Sequence, residues 1–347
     1  MEVVAGMSDR VALTDVAAYA RRVEALGYDT LHVPETVHDA LMVSMLALQA
    51  TTELRVTSSV ILAFVRSPML VAYTAWDLTA MSGGRFELGL GSQIRQNIEG
   101  RYSMPWTEPI PRMREYVESL RAIWHSFASG EPLSYVSTNY SFTRLQPFFN
   151  PGDHGFSEPK IWLGGVNEKI CALGGSHADG FVTHPTNSSP RYLTEFCLPR
   201  LDASAAAAAR QRPRVITGSM FATGRTDVDV ASSRDHQRAV LGFLYSTPAY
   251  RRTLELYGWS ELGERLQRMT RDGEWGQLPD LITDEVLDAI VPRATWADLP
   301  AVVDDWFGGL VDGVVLPVPG DPADDGEYRE VIRAVRSLRS DTASETA

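Results

Sequence analysis

Three short stretches of the 347-residue chain hold residue types that can do chemistry: HVPETVHD (32–39), LGGVNEKI (163–170) and VTHP (182–185). Glu35 follows directly on the apolar run TLHVP, where a lone carboxylate is expensive to desolvate, so it is expected to pair with a histidine or an arginine. His38 and His184 are of the residue type that suits the role of acid, base or hydrogen-bond donor to a cofactor ring if they meet at one mouth. Singly, each suits a structural role as well. In LGGVNEKI two glycines and Asn167 stand between a strand and a helix. Free backbone N–H groups and the positive end of a helix dipole make an anion site there, unless the stretch is only a tight turn capped by Asn167. A fourth stretch, FELGLGS (86–92), resembles a dinucleotide-binding turn, but that fingerprint needs a third glycine where this chain has Ile94. The sequence has no HExxH, GxSxG or GxxxxGK[ST] pattern, which removes zinc-protease, hydrolase-elbow and P-loop chemistry.

Short β-branched runs alternate with segments of helical period, the signature of βα units around a parallel sheet. Strands are expected at 2–5, 30–33, 55–60, 86–90, 161–163, 180–183, 215–221 and 313–316, enough to close an α/β fold of the (β/α)8 TIM-barrel type. Active residues of such a barrel sit at the C-terminal ends of strands, where all the stretches above fall. Between the strands, Thr14 is the expected N-cap of a first helix that stops at Gly27. Ser67-Pro68 opens a helix ending at Gly83-Gly84, and another starts near Pro111. Residues 1–340 read as one domain, with insertions at about 129–159 and 242–295 and a disordered tail at 341–347. Both insertions are expected in βα connections, as covers over the catalytic face.

A net charge of −12 argues against nucleic acid or an anionic membrane as the main partner. Lys160 and Lys169 are the only lysines, which leaves arginine as the usual anion-binding side chain. Two cysteines, Cys171 and Cys197, make neither a zinc quartet nor a disulfide framework, and they suit a reduced, cytoplasmic setting. No segment of the sequence is apolar for long enough to span a membrane.

GYDTLHVPE, LRVTSSVILAFVRSPMLVAYTAWDLTAMSGGRFELGLGSQ, PKIWLGGVN and ADGFVTHP, in that order, resemble the luciferase-like monooxygenase superfamily of flavin- and deazaflavin-dependent barrels. SGGRFELGLGSQIRQNIEGRYSMPWTEPIPRMREYVESLRAIW, with FLYSTPAYRRTLELYGW, is similar to its actinobacterial branch of coenzyme F420-dependent oxidoreductases. The resemblance implies an isoalloxazine-type ring across the strand ends and a bulge with a non-prolyl cis peptide at Ser59-Val60, or one residue earlier. It implies a cofactor phosphate on Gly164, Gly165, Val166 and Asn167, with Gly91 and Ser92 beneath or beside the ring. It further implies hydride exchange with a small organic substrate, with Glu35, His38 and His184 as acid–base candidates, and a homodimer. FMN-dependent monooxygenation and non-catalytic flavin binding are the alternatives. Where sugar-phosphate dehydrogenases of the superfamily keep Asp-His after strand two and Gly-Glu after strand four, this chain has Glu35-Thr36 and Gln93-Ile94. The aromatic residues of the insertions, among them Tyr135, Tyr140, Phe142, Phe148, Phe149, Tyr250, Tyr257 and Trp259, suit an aromatic substrate or a lid core.

Overall fold

A computed structural model of the chain describes residues 1–339. The expected disordered tail at 341–347 lies outside the described residues. Eight parallel strands, β1 (Glu2–Gly6), β2 (Thr30–Val33), β3 (Arg55–Ser58), β4 (Phe86–Gly91), β5 (Lys160–Gly165), β6 (Gly180–Thr183), β7 (Arg214–Thr217) and β8 (Gly313–Leu316), form the sheet. Each pairs with its sequence neighbours, and β8 pairs back to β1, so the sheet closes into the expected barrel. The register Val56↔Phe86 and Thr57↔Glu87 joins β3 to β4.

Strand parity divides the side chains. Val3 and Ala5 point outward into the core shared with the helices, whereas Val4, Trp162 and Ile216 pack inside the barrel. The barrel bottom holds Glu2, which contacts Arg55 and Arg214 and accepts from Thr30. Above it Trp162 plugs the centre, its Nε1 donating to Glu87 at 2.7 Å, and a Cβ at Gly180 would fall 2.2 Å from the Trp162 ring.

Two strands end earlier than the sequence suggests. β3 stops at Ser58, the Ser59-Val60 peptide is cis, and Ile61–Leu62 resumes pairing with the end of β4. β7 stops at Thr217 because Gly218 turns against β6, where a Cβ would lie 2.4 Å from the Thr183 carbonyl oxygen. Ala222–Gly224 instead pairs with Arg293–Thr295 in a small separate sheet.

The helices that carry the outer core are α1 (Val16–Leu26), α2 (Ala40–Ala50), α3 (Pro68–Ser82), α4 (Pro109–Ser129), α5 (Glu168–His177), α6 (Leu198–Ala207), α7 (Leu299–Phe307) and α8 (Asp325–Arg336). Gly27 and Gly83, at φ 92° and 67°, end α1 and α3 as glycines able to adopt the left-handed conformation. Thr14 is not the cap of α1: a 3₁₀ turn over Leu13–Asp15 leads into it and puts Asp15 at the cap position. Ser67 does hold the cap position of α3, though its hydroxyl makes no capping bond. α4 begins two residues before Pro111, at Pro109.

The first insertion is not in a βα connection. It leaves the C-terminus of α4 and enters β5, so it starts at the end of the barrel opposite the strand C-termini and lies along the outer wall. There Tyr73 donates to the Phe149 carbonyl, Trp76 donates to that of Gly152 at 3.0 Å, and His154 stacks on Trp76 at 3.8 Å. The second insertion does follow β7. It has an apolar cluster of its own, including Tyr245, Leu254, Leu266 and Leu287.

Candidate active site

The uppermost inward-facing positions of four strand ends carry glycine: Gly6, Gly91, Gly164 and Gly218. With no side chains there, the mouth of the barrel is recessed into a cleft of about 1180 Å³, large enough for a planar ring and a small molecule together. Val60, Val182 and Val315 supply the apolar part of its floor. Val60 sits between β4 and β5: a Cβ on Gly91 would lie 2.5 Å from Val60 Cγ2, and one on Gly164 3.3 Å from Val60 Cγ1. Gly91 is therefore required by the seat of Val60, and Gly89 by the Ser58 carbonyl oxygen, 1.9 Å from where its Cβ would be. Ser59 and Ser92 also line the cleft, as does Gln93, whose φ of 59° is unusual for a residue with a Cβ.

At one wall, Gly164, Gly165, Val166 and Asn167 lead into α5. Asn167 Oδ1 accepts from the Ile170 N–H at 3.1 Å, so it is the N-cap. Gly165 is demanded by packing, since a Cβ would fall 2.3 Å from Ile170 Cγ2. Tyr192 pins the turn from behind by donating to the Val166 carbonyl at 3.0 Å. The stretch is thus a capped tight turn whose helix N-terminus also opens on the cleft, with the exposed Lys169 beside it. Such a set can hold an anionic group such as a phosphate ester.

Of the three acid–base candidates only His184 lines this cleft. Its ring stacks on Tyr250 of the second insertion, 4.1 Å and 8° apart, and Nδ1 lies 2.7 Å from Thr186 Oγ1. Burial lowers its pKa to about 4, so the imidazole is neutral at pH 7. Glu35 is paired, as its position demands, with an arginine: its carboxylate accepts from Arg66 Nη1 at 2.9 Å and from the Leu62 N–H at 2.7 Å. The Glu35 side chain is 8% exposed and faces the bulge segment rather than the cleft. His38 faces a separate cavity of about 10 Å³ with Val16, Val33 and Val43, and so is not brought together with His184. None of Tyr135, Tyr140, Phe142, Phe148 or Phe149 borders the cleft, because their segment lies on the outer wall, whereas Tyr250 does.

Two further residues enter the site without having been singled out in the sequence. His32 projects inward from β2 and lines the floor edge-on to Trp162; burial holds its pKa near 3. The alternation of TLHV, with Thr30 and His32 on one face, was the signal for it. Trp106 comes from the loop after β4 and had no such signal, since no strand or helix period runs through it. The charged rim is partly paired, Arg95 with Glu99 at 2.9 Å and Arg252 with Glu255 at 2.8 Å.

Comparison with known proteins places this geometry. Residues 2–312 match the family model described as luciferase-like monooxygenase. An uncharacterized protein of Mycobacterium tuberculosis is 37% identical over 308 residues, covering 88% of this chain and 90% of the relative. A 5,10-methylenetetrahydromethanopterin reductase of Archaeoglobus fulgidus is 27% identical over 313 residues, covering 88% and 89%. Among solved structures, the coenzyme F420-dependent tetrahydromethanopterin reductase of Methanopyrus kandleri superposes with a TM-score of 0.76 at 16% identity, over 97% of this chain and 98% of that one. At that identity the likeness is one of fold.

Proposed function

The chain belongs to the luciferase-like monooxygenase family, and on that footing we propose that it is an oxidoreductase exchanging a hydride between coenzyme F420 and a small organic substrate. The observation that carries the proposal is the floor of the cleft, where four strand-end glycines leave a recess lined by Val60, Val182 and Val315 beside a helix N-terminus. A planar ring bearing a phosphate ester fits that combination of shape and polarity. In this reading Gly164, Gly165, Val166 and Asn167 hold the phosphate, and Ser59, Val60, Gly91 and Ser92 flank the ring. When bound, the deazaflavin supplies a two-electron hydride carrier. The chain orients the substrate between Tyr250 and Trp106, keeps bulk water from the floor, and moves a proton at the ring of His184. Glu35 acts one step back: it clamps the Leu62 N–H and so fixes the segment that carries Val60.

Anaerobic titration of the full chain with F420 and, separately, with FMN tests the proposal. Tight F420 binding without oxygen consumption on later aeration is expected. Tight FMN binding with oxygen consumption, and no F420 binding, favours the flavin monooxygenase instead. Binding of either ring with no turnover across a substrate panel favours a non-catalytic flavin-binding barrel.

A homodimer belongs to the same proposal: Met42 and Met45 on α2 and Leu70 and Met81 on α3 are exposed apolar side chains on adjacent helices. Sedimentation at two concentrations checks it. Among the described residues no helix is long and apolar enough to cross a membrane, and we place the activity in the cytoplasm.

A further inference from the structure

On the reading of His184 above, we infer that Asn187 and Thr253 fix its ring as the Nδ1–H tautomer, so that a bare Nε2 faces the cleft and the substrate meets it with an O–H or N–H donor. Four buried residues stand behind the histidine, and their hydrogen bonds decide which of its nitrogens holds the proton.

Thr186, Asn187, Thr253 and Tyr245 are all fully buried. Tyr245 Oη donates its one proton to the Thr186 carbonyl at 2.7 Å. Burial raises the Tyr245 pKa, and the neighbouring Thr253 side chain opposes that rise. Thr253 Oγ1 accepts from the Asn187 amide nitrogen at 3.0 Å. That turns Nδ2 of Asn187 toward Thr253 and Oδ1 toward Thr186, where the oxygens are 2.7 Å apart. The Thr186 hydroxyl spends its proton on Asn187, and it meets His184 Nδ1 at 2.7 Å with lone pairs alone. Nδ1 must then carry the hydrogen. The Thr186 backbone N–H also points at Nδ1, but from 3.4 Å, near the outer limit for such a bond, so the shorter hydroxyl contact decides.

A neutral imidazole with hydrogen on one nitrogen is an acceptor at the other. Nε2 has no protein partner among the described residues, and His184 lines the cleft. The stack on Tyr250 fixes the plane of the ring. The order of events is unusual for a lid: Thr253 belongs to the short helix Arg252–Leu256 of the second insertion, so that insertion sets the protonation state of a residue on the barrel. Asn187 and Thr253 are positioning residues, acting only through His184.

The test is a two-bond ¹H–¹⁵N spectrum of the full chain labelled in its seven histidines, without cofactor, with the His184 signals assigned by their loss in His184→Gln. A protonated Nδ1 and a bare Nε2 are expected. A protonated Nε2 overturns the inference. Thr253→Ser should keep the wild-type pattern, and Thr253→Val should shift the population toward Nε2–H; an unchanged pattern in a folded Thr253→Val protein overturns the role of the chain. If Thr253→Val does not fold, the wild-type spectrum still decides the tautomer. Because no cofactor is present, a wrong tautomer in a protein that binds F420 removes this inference alone, and the expected tautomer in a protein that does not bind F420 upholds it while removing the cofactor proposal.

Discussion

Substituting Glu35→Gln separates a clamp from a catalyst. The Glu35 and Arg66 side chains are 8% and 19% exposed, and removing one partner of a buried pair costs about 3–5 kcal/mol. Two features reduce that figure. Glutamine keeps an acceptor for the Leu62 N–H, and Arg66 retains Asp39 at 2.8 Å on its more exposed side. A net loss of about 2–3 kcal/mol follows. For a chain of this length the unfolding entropy is about 0.7 kcal/mol/K, so the melting temperature should fall by about 3–4 °C. Because the carboxylate lies outside the cleft, the folded variant should bind F420 within about threefold of the parent, the residual effect reaching Val60 through Leu62. Differential scanning calorimetry and the anaerobic titration measure the two quantities on one preparation. An unchanged melting temperature combined with lost cofactor binding or turnover would refute the reasoning and return Glu35 to the chemistry.

Gly165→Ala places a Cβ 2.3 Å from Ile170 Cγ2; overpacking of that kind costs about 1–3 kcal/mol. It should weaken cofactor binding by displacing the start of α5, and adding Ile170→Ala should restore much of both, read by calorimetry and titration. His32 has a folded pKa near 3, below its ordinary value of about 6.5 when unfolded. The unfolded chain therefore takes up a proton below pH 6.5 that the folded one refuses, so this group's contribution is complete above pH 6.5 and is lost as the pH falls toward 3. The expected loss is about 2 kcal/mol between pH 7 and pH 5, and His32→Leu should show a correspondingly smaller drop in its urea midpoint over that range. Tyr250→Ala should raise KM several-fold by freeing the stacked face of His184, whereas Phe148→Ser, at a side chain 90% exposed on the outer wall, should leave steady-state kinetics unchanged.

The barrel was legible because its information is local. The strand runs, the Ser67-Pro68 start and the Gly27 and Gly83 stops each express a preference of a few neighbouring residues, and eight such units have one economical closure. The turn after β5 was legible for the same reason, since its glycines and cap lie within seven residues of one another. What the sequence left open depends on residues distant in the chain. LGGVNEKI showed that Asn167 could cap a helix, but only the closed barrel brings that helix beside Val60 and Gly91. Both insertions were expected in βα connections. Their positions differ because one follows a helix and the other a strand, and that decides at which end of the barrel each emerges. Glu35 and His184 both stood after strands, yet Arg66, 31 residues away, draws the carboxylate out of the cleft, while Tyr250 and Thr253, more than 60 residues on, hold the imidazole in it. Local propensity determined the barrel; long-range packing and the sharing of buried protons decided which side chains face its mouth, and in what state.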